Sequence, residues 1–106
     1  MAAPVAVSDA EYDGVVSDNE WVLVDFWAPW CGPCKMIGPV LETLGNEREN
    51  LFIAKVNTDT DSMNAAKLGV RGIPNLILYH DGEKVEQRTG AMNAGAMSQW
   101  LSSHMD

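Results

Sequence analysis

Apolar positions change period along the chain, and each change marks an element. Trp21-Val22-Leu23-Val24-Asp25-Phe26-Trp27 is apolar at every position but one, the pattern of a strand buried on both faces. From Cys31 to Leu44 the spacing turns helical, with Ile37, Val40, Leu41 and Leu44 on one side and Gly45-Asn46 as the expected stop. Pro39 falls inside that helix and predicts a kink, because it has no N–H to donate and its ring crowds the Lys35 carbonyl. Leu51 to Val56 reads as a second buried strand, followed by a short helix around Asp61 to Leu68 that Gly69 ends. Ahead of these, Ser8-Asp9-Ala10-Glu11 fits a capping box opening a helix that carries Tyr12, Val15 and Val16.

The last third changes style. Asn75 to Tyr79 and Lys84 to Arg88 flank Asp81-Gly82, a hairpin signal, and the polar second segment suits an edge strand. After an Asn93 cap, Met97, Trp100, Leu101 and His104 recur at the spacing of an amphipathic helix. Strand, helix and strand, then hairpin and helix, predict an α/β fold with a mixed sheet covered by helices. At 106 residues, without repeat, linker or low-complexity tract, the expectation is one domain over 1–106.

Composition narrows the function. Hydrophobic residues are 46% and charged residues 21% of the chain, and no run approaches the ~20 apolar residues of a membrane span. The opening MAAPVAVSDAEYD lacks the basic and apolar regions of a secretory signal, so none is expected. Seven basic against fifteen acidic residues give a net charge of −8, which disfavours nucleic acid and anionic membranes as partners. Solubility explains such acidity, and adaptation to high salt would look similar.

The two cysteines, Cys31 and Cys34, stand three apart directly after a buried strand and at the start of a helix. Unpaired N–H groups and the positive end of the helix dipole favour a thiolate there. The spacing also puts both sulfurs on one helix face. A bridge closing so small a loop would constrain the unfolded chain little, so the pair reads as chemical rather than structural. Zinc would need about four ligands, and His80 and His104 show no paired spacing; an inert buried pair is the other bland reading. Asp25, a carboxylate inside an apolar strand, is costly without a purpose. Trp30 competes between core and surface; Trp21, Trp27 and Trp100 are the core candidates, which assigns Trp30 to the surface. Met36, Met63 and Met97 read as core filler or surface.

Phe26-Trp27-Ala28-Pro29-Trp30-Cys31-Gly32-Pro33-Cys34-Lys35-Met36 resembles the active-site segment of the thioredoxin family. The resemblance runs nearly the whole chain. Lys55-Val56-Asn57 is similar to the family's second buried strand, and Arg71-Gly72-Ile73-Pro74 to the segment carrying its cis-proline. Asp81-Gly82 and Thr89-Gly90-Ala91 fall at the family's spacing. Pro29 and Asn75 depart from it, where an acidic or small residue and a threonine are commoner; these bear on reductase and substrate preference, not on the chemistry.

The resemblance implies a thioredoxin fold, a central mixed sheet of about five strands flanked by four helices. It implies Cys31 as nucleophile, Cys34 as resolving thiol and Asp25 as the proton-transfer group beneath it, with Lys55 biasing that acid. Gly32, Pro33 and Lys35 would support the site. Trp30, Gly72, Ile73, Pro74, Gly90 and Ala91 would form the substrate surface, with Ile73–Pro74 cis. The implied activity is protein-disulfide reduction in the cytoplasm by a monomer without cofactor or metal, its electrons coming from a flavin- or ferredoxin-linked thioredoxin reductase. The Gly32-Pro33 dipeptide lacks the histidine common in oxidising and isomerising relatives, which favours the reductant over an oxidase or isomerase. A non-catalytic binding subunit or holdase using the same apolar surface is the remaining alternative.

Overall fold

The computed structural model describes residues 3–106. Five strands form one sheet: β1 (Val5–Ala6), β2 (Trp21–Trp27), β3 (Leu51–Asn57), β4 (Asn75–His80) and β5 (Glu83–Thr89), in the order β1-β3-β2-β4-β5. β2 and β3 are parallel, and β4 runs antiparallel to both β2 and β5. Around the sheet stand α1 (Asp9–Asp18), α2 (Gly32–Met36), α3 (Gly38–Glu47), α4 (Met63–Lys67) and α5 (Ala94–Met105). α2 and α3 are one helix broken at Ile37, just ahead of Pro39, so the sheet carries four helical units as expected.

β2 is buried on both sides, and its residues alternate between two cores. Trp21 and Leu23 pack with Ile37, Leu41 and Leu44 of α2–α3 and with Met97, Trp100 and Leu101 of α5. Val22, Val24 and Phe26 face Tyr12 and Val16 of α1 and Ala65 of α4. By this alternation Asp25 lies on the face covered by the broken helix that the cysteines begin.

Local signals hold at the predicted places. Ser8 and Glu11 close the capping box, each bonding the other's backbone N–H. Ser8→Ala should therefore cost about 1 kcal/mol in urea unfolding. Asp81 and Gly82 both have positive φ, 51° and 85°, the backbone of a tight two-residue hairpin. The Asn93 side chain caps α5 through the Ala96 N–H.

The structure departs from the sequence pattern at several places, and Trp27, a core candidate, is only half-buried. Gly45-Asn46 does not stop α3, which runs on to Glu47 because Leu44 and Gly45 are buried against the sheet and the Arg48 N–H still bonds Leu44. The helix expected at Asp61 to Leu68 is shorter, Met63–Lys67, followed by Gly69 at φ 71°. β1 was not predicted: both residues are exposed, and its place comes only from pairing beside β3. Among the described residues no helix is long and apolar enough to cross a membrane.

Candidate active site

The site sits where β2 ends. Trp27 closes the strand, Ala28 is buried, and the chain turns through exposed Pro29 and Trp30 to Cys31. Cys31 is the N-cap of α2, in extended backbone geometry, and its N–H bonds the Ala28 carbonyl. Its sulfur accepts the Cys34 N–H at 3.2 Å, taking the role that a serine or aspartate oxygen plays at an ordinary cap. Pro33 fits in the first turn, where N–H groups have no helical partner. Cys31 and Cys34 are joined by a disulfide with Cα atoms 5.2 Å apart, and both are buried. Gly32, Pro33 and Lys35 are exposed around them.

A second segment meets this turn. The Ile73–Pro74 bond is cis, as expected, and the Ile73 carbonyl oxygen lies 3.8 Å from the Cys31 sulfur, within reach of a thiol S–H when the bridge is reduced. Pro74 accepts the Gly90 N–H at 2.8 Å, with Gly90 at φ 103°. Gly72 packs closely here, since a Cβ would stand 3.0 Å from the Thr89 side-chain methyl and push it aside. Asn75, the departure after the proline, is buried and bonded at both ends of its amide: it donates to Thr89 Oγ1 and accepts from the Gln87 amide. Gly72, Ile73 and Gly90 are half-buried, Pro74 is buried and Ala91 is exposed.

Trp30 is 71% exposed, so it belongs to the surface and not to the core. Its indole N–H donates to Asp59 Oδ1 at 3.1 Å, which holds the ring beside a shallow depression containing Val70, Arg71 and Ile73. Asp59 carries no signal in the sequence. No motif links it to Trp30, and only the fold brings the loop after β3 alongside the cysteine turn.

Asp25 is completely buried, and neither carboxylate oxygen has a hydrogen-bond partner among the described residues. Burial pushes its carboxyl up to about 7, and the Lys55 ammonium pulls against that shift. Lys55 is the direct cross-strand neighbour of Asp25 in β3. Its ammonium lies 4.6 Å above the Trp27 ring, so this lysine is a half-buried partner of the site rather than a fully solvated strand residue. Lys35, in contrast, makes no side-chain hydrogen bond or ion pair among the described residues.

A cysteine pair bridged at a helix start, the Ile73 carbonyl ahead of a cis-proline facing the first sulfur and a buried acid under the same helix define a protein-disulfide oxidoreductase. The thioredoxin family model matches residues 3–103. A thioredoxin from Mycobacterium bovis is 46% identical over 103 residues, covering 95% of this chain and 89% of its own. Thioredoxin 1 of Nostoc sp. is 40% identical over 107 residues, covering 99% and 100%. A solved structure of a mutant thioredoxin from Halobacterium salinarum superposes with a TM-score of 0.91 at 39% identity, covering 100% of this chain and 96% of that one. The chain belongs to the thioredoxin family. It is a protein-disulfide reductase and electron carrier, working between a reductase and target proteins that carry disulfides.

Proposed function

We propose that Cys31 attacks and Cys34 resolves. The observation that carries this assignment is the Cys34 N–H pointing at the Cys31 sulfur across the helix start. A negative charge on Cys31 meets that donor and the helix dipole, whereas Cys34 lies inside the first turn. The Cys31 thiolate attacks one sulfur of a target disulfide, forming a mixed disulfide and releasing a target thiolate. Asp25 takes the Cys34 proton, and the Cys34 thiolate then attacks the Cys31 sulfur. The target's second sulfur leaves as a thiolate. Two electrons have passed to the target, and Cys31–Cys34 is oxidised. A reductase dithiol reverses these steps.

Trp30, Gly72, Ile73, Pro74, Gly90 and Ala91 receive the target as an extended segment beside the Ile73 backbone, a form of strand addition. Gly32 and Pro33 keep the approach to Cys31 open, Lys35 adds positive charge at its edge, and Lys55 moderates Asp25. The reductase is flavin- or ferredoxin-linked, and the protein works as a cytoplasmic monomer with one domain over 1–106 and no cofactor.

Insulin reduction driven by dithiothreitol tests the reading. The native protein should accelerate precipitation of the insulin B chain, and Cys31→Ser should not. Equal rates with and without the native protein would leave only a binding role. Trp30→Ala should raise KM for insulin about tenfold, because an exposed aromatic anchor is lost, while reduction of a small disulfide stays unchanged. A fall in both would move Trp30 from docking into the chemistry.

A further inference from the structure

At the end of β2 opposite the dithiol, the fold gathers three ligand atoms, two from neighbouring residues and one from sixty residues earlier in the sequence. Glu20, just before β2, meets His80 and Asp81 at the end of β4, and one donor atom from each lies within 4.8 Å of the others. His80 Nε2 stands 3.6 Å from Glu20 Oε2 and 3.3 Å from Asp81 Oδ2. Neither contact is a hydrogen bond, and both exceed the 2.7–2.9 Å that charge-assisted N–H···O bonds adopt. One ring nitrogen also has only one proton to give to two carboxylates. The three donors converge on a common point, with His80 Nε2 at ion-pair distance from both carboxylates.

We propose that Glu20, His80 and Asp81 form a surface site for a divalent transition-metal ion of the zinc class. With metal–nitrogen and metal–oxygen bonds of about 2.0–2.2 Å, neighbouring ligands of a tetrahedral ion stand about 3.3–3.6 Å apart, which matches both observed separations. One imidazole and two carboxylates suit zinc, copper or nickel better than magnesium or calcium, which prefer oxygen alone. Water or a donor from another molecule would complete the shell.

The scaffold is set before any ion arrives. The His80 ring stacks on the Trp21 indole at 3.9 Å and 15°, which fixes its plane. Trp21 and His80 are cross-strand partners, and the Asp81 N–H bonds the Glu20 carbonyl at 2.8 Å. Asp81 occupies the left-handed region, and the tight turn sets where its side chain starts. The neighbouring depression carries Asp18, Glu20 and Glu49 and no lysine or arginine, so the local field draws cations. β2 spans seven residues, so this site lies about 20 Å from the dithiol and does not share its ligands.

Calorimetric titration of zinc(II) into the oxidised protein tests the proposal, because Cys31 and Cys34 are then held in their disulfide. One saturable site is expected, together with a zinc-dependent rise in Tm. His80→Gln, Glu20→Gln and Asp81→Asn should each weaken binding at least about tenfold, while His104→Gln leaves it unchanged. All four variants should reduce insulin at the native rate, which verifies their fold. No saturable uptake by the native protein, or an isotherm for His80→Gln equal to the native one, would overturn the proposal.

Discussion

Cys31→Ser is expected to lose insulin reduction by a factor on the order of 10³ or more, as enzymes do when an attacking group is removed. Cys34→Ser should be equally poor in turnover for a different reason. It still attacks, but it cannot displace the target, so mixed disulfides through Cys31 accumulate. The asymmetry follows from the helix start, where Cys31 sits at the cap and its sulfur accepts the Cys34 N–H. Mass spectrometry of adducts trapped with a protein disulfide distinguishes the two sulfurs. Adducts on Cys31 in Cys34→Ser, with almost none in Cys31→Ser, are predicted. Adducts mapping mainly to Cys34 in the native protein would reverse the roles.

Asp25→Asn should change stability in a pH-dependent way. The folded carboxyl is pushed up to about 7 from an ordinary 3.8, chiefly by burial. The folded state therefore holds a proton that the unfolded state has released across this range. Stability attached to that proton is complete below about pH 4, falls as pH rises through 7 and is gone above it. The loss amounts to about 4 kcal/mol. Asparagine carries no such penalty, so relative to native the variant gains with rising pH, and the gain shrinks to less than about 1 kcal/mol near pH 4. Denaturation of the oxidised proteins at pH 4 and pH 8 reads the difference without interference from thiols. In the same variant, release of target from the mixed disulfide should slow, since an amide cannot take the Cys34 proton. Parallel stability curves and an unchanged release rate would show that Asp25 stays ionised in the fold and moves no proton.

What was legible in the chain was whatever a short stretch decides by itself. β2 was readable because burial on both faces leaves only one polar residue, and that residue is Asp25. The dithiol, the capping box, the Asp81-Gly82 turn and the Asn93 cap each rest on bonds within four residues. The end of α3 was missed because glycine ends a free helix, yet Gly45 is buried and tertiary packing outweighs its propensity. β1 was missed because two exposed residues carry no periodicity and gain their form only beside β3. Trp27 belongs to the apolar run of β2 yet is half-buried with the Lys55 ammonium over its ring, a contact between neighbouring strands. The Asp59 contact to Trp30 and the meeting of Glu20 with His80 and Asp81 join segments distant in sequence. Such pairings depend on topology, and no local motif announces them.

Cys31 and Cys34 form a reducing dithiol, and the redox equilibrium of the pair with glutathione tests that most directly. The pair has Gly32-Pro33 between its cysteines and no histidine to hold the reduced form. The reduced thiolate is therefore stabilised less than in an oxidising relative, and the disulfide forms readily. Across buffers of increasing reduced-to-oxidised glutathione ratio, the pair is predicted to stay oxidised until the buffer is strongly reducing. A pair already reduced in a mildly reducing buffer would make this protein a thiol oxidant and contradict its role as a reductant.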